Sequence, residues 1–218
     1  MGPIVSRLLK NRLTPRFGAL FAAPLLAALL LASGCGQQAK LPALPADAVV
    51  LAFGDSLTYG TGANEDESYP AQLARLTGRR VVSEGVPGEV SASGLARLPE
   101  VLDEYRPRLL LLCHGGNDFL RRLPKEQVAE NLRAMIRLAK SRGIDVLLIG
   151  TPEPGFTLSP AAFYAEVAKE FRIPYEGEVL GKILRDGNLK ADQVHPNARG
   201  YRLMAERVYE LLRKSGAV

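Results

Sequence analysis

The chain is poor in the side chains that carry much of protein chemistry: its 218 residues include two cysteines and two histidines. Two cysteines cannot build the bridge framework that staples small secreted domains. Cys113 lies inside the apolar run Leu109-Leu110-Leu111-Leu112-Cys113 and reads as a small hydrophobe in a buried strand. With so few histidines and cysteines no cluster has metal-ligand spacing, and neither a metal nor an organic cofactor is expected. A dinucleotide fingerprint is also missing, because the glycine that should follow Gly60 and Gly62 is replaced by Glu65. The net charge of +5, with a pI near 9.3, would suit an acidic partner. Arg7, Lys10, Arg12 and Arg16 account for four of those charges, which leaves +1 for the remaining chain and no nucleic-acid footprint.

What is present begins with Val49-Val50-Leu51-Ala52, followed by Phe53-Gly54-Asp55-Ser56-Leu57-Thr58-Tyr59-Gly60. An apolar run that ends in Gly-Asp-Ser reads as a buried strand delivering a serine at its carboxyl end, where open parallel sheets hold their ligands. The same three residues are also ordinary turn formers. A serine nucleophile needs a base, and the base needs an orienting acid. Asp192-Gln193-Val194-His195-Pro196-Asn197 supplies both three residues apart, in a segment stopped by Pro196. Asp192 can then hold the tautomer in which His195 accepts the proton of Ser56. His114 has no acid at the right distance and is expected to be structural or to contact substrate. Asp55 is expected to shape the loop beside the nucleophile.

Short apolar runs alternate with longer helical patterns along the rest of the chain. The runs cover 49–53, 80–86, 109–113 and 145–149, with a weaker one at 172–175. Continuous runs of this kind suit strands buried on both faces of a parallel sheet. Helical spacing covers 69–76, 94–105, 125–141, 160–171 and 197–213. In the last of these, Tyr201, Met204, Ala205, Val208, Leu211 and Leu212 form a core-facing stripe. The alternation predicts right-handed crossovers with helices on both faces of one sheet, in a single domain spanning 49–218.

Gly54-Asp55-Ser56, Gly88, Gly115-Gly116-Asn117-Asp118 and Asp192-Gln193-Val194-His195 stand in the order of the four blocks of the SGNH hydrolases. The chain thus resembles the GDSL esterase and lipase family, and within it the small bacterial esterases related to thioesterase I and lysophospholipase L1. The resemblance implies a three-layer α/β/α sandwich whose five-stranded parallel sheet has the order 2-1-3-4-5. It implies a serine esterase with Ser56, Asp192 and His195 as catalytic residues. Fixed donors aimed at the developing negative charge are usually the largest catalytic contribution, and here they would be the Ser56 and Gly88 N–H groups and the Asn117 amide. Gly88 in Gly85-Val86-Pro87-Gly88-Glu89 also reads as a plain turn glycine, and Asn117 as a turn cap. The Gly-x-Ser-x-Gly elbow of the α/β-hydrolases is absent around Ser56.

The substrate implied is a small acyl ester, a thioester or a lysophospholipid, handled by a monomer. The segment 151–159, with Phe156, is expected to border the acyl pocket. A carbohydrate or peptidoglycan O-acetylesterase is an alternative, and a surface lipoprotein that binds a glycan or lipid without catalysis is another.

The first 34 residues read as a secretory signal: the four basic residues, an uncharged stretch from Phe17 to Leu31, then Ala32-Ser33-Gly34-Cys35. The segment resembles a bacterial lipoprotein signal with Cys35 as the lipidated residue, although Ala32 stands where leucine is usual. This places the protein in the cell envelope, anchored in a membrane by lipid. An uncleaved anchor and a released secreted protein are the other readings. Residues 35–48, with two prolines and little charge, read as a tether.

Overall fold

Successive strand side chains point to opposite faces, so a strand that is apolar at every position needs cover on both sides. The computed structural model describes residues 39–218, together with Gly2, and provides that cover. Strands β1 (Val49–Gly54), β2 (Arg80–Gly85), β3 (Leu109–Cys113), β4 (Asp145–Ile149) and β5 (Tyr175–Glu176) form one sheet. Its order is β2-β1-β3-β4-β5 and every pairing is parallel. Eight helices are present among the described residues: α1 (Ser56–Tyr59), α2 (Tyr69–Thr77), α3 (Ser91–Tyr105), α4 (Gly116–Leu120), α5 (Lys125–Ser141), α6 (Ala162–Phe171), α7 (Val179–Arg185) and α8 (Ala198–Ser215).

The two faces of the sheet bury different residues. Val50 and Ala52 of β1, with Leu109 and Leu111 of β3, pack with Leu73 of α2, Ile183 of α7 and Met204 of α8. Leu51, Phe53, Leu110 and Leu112 pack with Leu98 of α3, Leu132 of α5 and Val167 of α6. The result is the expected three-layer α/β/α arrangement.

Two expectations need correction. The weak strand at 172–175 is displaced to Tyr175–Glu176. Arg172, at φ 53°, closes the end of α6, and the Ile173 N–H turns back to Ala168 O. Pro174 has no N–H to give, so pairing with β4 can start only at its carbonyl, which accepts from Leu148 N–H at 3.0 Å.

The tether expected over 35–48 is also too long at its C-terminal side. The Leu41 and Leu44 N–H groups donate to Ser215 O and Ala217 O, at 2.9 and 2.8 Å, and Arg79 donates to Leu44 O at 3.1 Å. Leu44 and Ala48 are buried in the core, and burying a leucine side chain contributes about 2 kcal/mol. The folded domain therefore starts near residue 40. Apart from Gly2, residues 1–34 and Cys35 lie outside the described residues.

Candidate active site

β1 ends at Gly54, and the chain turns at once into the single helical turn α1. Asp55 caps that turn, its Oδ1 accepting the Leu57 N–H at 3.0 Å. Capping by a short acid satisfies a donor that the helix start would leave unpaired, and it sets Ser56 at the first helical position above the carboxyl end of the sheet. Asp55 is buried. Burial pushes its carboxyl above the ordinary value, and His114, the Leu57 N–H and His195 offset this only in part.

His195 reaches Ser56 from the opposite end of the chain, with Nε2 to Oγ 3.0 Å. Its Nδ1 lies 2.7 Å from Asp192 Oδ2. An ionised carboxylate accepts only, so the imidazole hydrogen sits on Nδ1 and Nε2 is left to accept from the serine hydroxyl. Asp192 Oδ1 takes the N–H groups of Val194 and His195, both at 2.8 Å, and thereby folds the turn that carries the histidine. Burial opposes ionisation of Asp192, but the hydrogen bonds from the His195 ring and these two N–H groups outweigh it and hold its carboxyl below the usual range. Below the turn, Asn197 caps α8 through Arg199 N–H and Gly200 N–H.

The remaining predicted residues converge on the same place. Ser56, Gly88, Asn117 and His195 all line one cavity of about 530 Å³. Gly88 sits at φ 79°, and the Glu89 N–H closes its turn onto Val86 O at 3.1 Å. No acceptor takes the Gly88 or Ser56 N–H among the described residues. Asn117 is more constrained than the sequence suggests. Its amide nitrogen donates to Asp55 Oδ2 at 3.1 Å and to Glu89 O at 3.0 Å, so both amide hydrogens have acceptors before any substrate arrives. Serving an oxyanion means sharing or releasing one of them.

Some residues fall outside the cavity. His114 is fully buried and bonded to Glu89, which makes it structural rather than substrate-contacting. Asp118 accepts from Ser91 N–H and Ser91 Oγ, at 2.8 and 2.6 Å, and ties α4 to the start of α3. Residues 152–155 and Leu158 line the cavity, in a loop closed by the Glu153 N–H to Ser159 O at 3.0 Å. Phe156, at the loop tip, is fully exposed and is not part of the lining. Sequence reasoning missed Glu89 and Arg97, whose contacts join segments far apart in the chain. Among the described residues no group of three or more His, Cys, Asp or Glu is placed to hold a metal ion.

Comparison with known proteins gives a consistent picture. The profile of the GDSL-like Lipase/Acylhydrolase family matches residues 52–203. Esterase TesA of Pseudomonas aeruginosa is 32% identical over 197 residues, covering 84% of this chain and 97% of that one. Thioesterase 1/protease 1/lysophospholipase L1 of Escherichia coli K12 is 31% identical over 156 residues, covering 68% and 75%. A solved structure of the psychrotrophic esterase EstA from Pseudoalteromonas sp. superposes with a TM-score of 0.70 at 22% identity, over 77% of this chain and 98% of that one. At that identity the likeness is one of fold.

Proposed function

The chain belongs to the GDSL-like lipase and acylhydrolase family of serine hydrolases acting on ester bonds, and from that premise we propose that it works through an acyl-enzyme on Ser56. The Ser56 hydroxyl attacks the ester carbonyl as His195 Nε2 takes its proton. The tetrahedral intermediate collapses, the C–O bond to the alcohol breaks, and His195 returns the proton to the leaving oxygen. Water then repeats the sequence in reverse and frees the acid. Asp192 orients the imidazole and stabilises its charge, and the Ser56 N–H, Gly88 N–H and Asn117 amide receive the oxyanion. The observation that carries this reading is the pair of contacts at 3.0 and 2.7 Å that joins Ser56 and His195, both on the cavity wall, to Asp192.

The substrate follows from the lining. Leu120, Leu158, Leu184 and Val194 give the cavity an apolar side, and about 530 Å³ lies within the range of small-ligand pockets. This favours an acyl chain longer than acetyl, in an ester, thioester or lysophospholipid. Hydrolysis of p-nitrophenyl acetate, butyrate and octanoate should therefore rise in kcat/KM from acetate to butyrate or beyond. A steep preference for acetate would transfer the assignment to an O-acetylesterase.

We also propose lipidation at Cys35 and a place in the cell envelope. Residues 40–44 join the domain beside the C-terminal end of α8, whereas His195 precedes its N-terminal end. An 18-residue helix is about 27 Å long, so the chain that would lead to an anchor leaves the domain far from the cavity. Labelled palmitate should enter the wild type and not Cys35→Ser, and label retained in the variant would remove the anchor.

A further inference from the structure

The loop that carries Gly88 and the short helix α4 that carries Asn117 meet at Glu89. Its carbonyl accepts from the Asn117 amide at 3.0 Å, and its buried carboxylate is held from two further elements. Arg97 of α3 forks onto it, Nε to Oε1 at 3.0 Å and Nη2 to Oε2 at 2.9 Å. His114, directly after β3, contributes Nε2 at 3.1 Å from Oε2. Arg97 is itself fixed by Glu84 of β2 at 3.1 Å and lies 4.2 Å from the centre of the Phe53 ring in β1. Burial works against the Glu89 charge, but the bonds from His114 and Arg97 and their proximity prevail and lower its pKa to about 2.

Nothing in ester hydrolysis calls for this cluster, and none of its three side chains lines the cavity. Its construction is nevertheless exacting. The His114 ring is wholly buried with Nδ1 unpartnered, so the imidazole is kept for one contact through Nε2. A β-carbon added at Gly94 of α3 would fall 2.4 Å from that same Nε2. Helix α3 thus runs over the edge of the imidazole at a distance that only glycine permits.

We propose that His114, Glu89 and Arg97 are positioning residues for the oxyanion hole. By pinning the Glu89 carboxylate they set where its backbone lies, and its backbone places both the Gly88 N–H and the Asn117 amide. This rests on the serine-hydrolase reading above. Oxyanion donors act only on charge that develops in the transition state, and loss of one costs about 100-fold or more in kcat. A displacement of the donors should cost less, roughly 10-fold or more, with little change in substrate binding.

The test uses the full chain and p-nitrophenyl butyrate. Gly94→Ala and His114→Ala are each expected to lower kcat about 10-fold or more while KM stays within about twofold. The double variant should be no worse than His114→Ala, because the added methyl group has nothing left to displace. His114→Gln, which keeps a donor toward Glu89, should recover most of the loss. Melting curves separate this from unfolding, since alanine at a helix interior is otherwise favoured over glycine. Losses that multiply in the double variant, or single variants with kcat within twofold of wild type, would overturn the proposal while leaving the hydrolase intact. A wild type inactive on the ester would overturn both.

Discussion

Ser56→Ala is expected to fold as the wild type does and to lose about four to six orders of magnitude in kcat. The hydroxyl supplies the attacking oxygen, and no other group can replace it once His195 Nε2 faces a methyl group. The side chain is only partly buried, its main contact is the bond to His195, and the Asp55 cap that shapes the turn uses the Leu57 N–H instead. Stability should therefore shift by no more than about 0.5 kcal/mol. The check is hydrolysis of p-nitrophenyl butyrate beside labelling with a fluorophosphonate. Wild type should gain one adduct, on the peptide containing Ser56, and the variant none. An alanine variant with more than about one per cent of wild-type kcat would place the nucleophile elsewhere.

The parts of this molecule that could be read from its sequence are those in which the local signal and the tertiary environment agree. β1 and β3 are apolar at nearly every position because helices cover both faces of the sheet at its centre. At the edge that agreement fails: Arg172 and Pro174 look like the start of a strand, yet one ends a helix and the other cannot donate to a ladder. Residues 40–48 mislead in the other direction. Their prolines and alanines resemble a linker, while Leu41, Leu44 and Ala48, in a segment without helix or strand, pack onto the core and bond to the C-terminal end of α8. Helix α7 carries Val179, Leu180, Ile183 and Leu184 on one face and has no counterpart in the sequence reading, because its seven residues are fewer than a periodic pattern needs to stand out.

The candidate site divides along the same line. Ser56, Asp192 and His195 are legible because each sits in a short motif whose residue types suit the chemistry. Glu89 and Arg97 are silent because they meet each other across 8 residues and meet His114 and Glu84 across 25 and 13, contacts that exist only after the sheet has formed. The engagement of Asn117 with Asp55 spans 62 residues. A motif can name the amide, but only packing decides which acceptors hold it.

His195 and Asp192 should differ in what their loss costs, and the difference is a test of roles. His195 is within bonding distance of Ser56 Oγ, so His195→Ala should lower kcat about 10,000-fold or more. Asp192 acts through its two oxygens separately, one on the imidazole and one on the turn. Its side chain is 53% exposed, so water can take over the Nδ1 hydrogen when the acid is gone. Asp192→Ala is accordingly expected to cost only about 10- to 100-fold. Asp192→Asn is the sharper variant. Its oxygen can keep the two N–H groups of the turn, but its amide then faces Nδ1 with a donor and selects the tautomer whose Nε2 carries the hydrogen. That nitrogen cannot accept the proton of Ser56, and the expected loss is on the order of 1,000- to 10,000-fold despite the closer shape. Measuring kcat for the three variants at one pH gives the order directly. Should alanine at 192 prove worse than asparagine, the acid matters chiefly as the builder of the turn, and the tautomer is set by solvent.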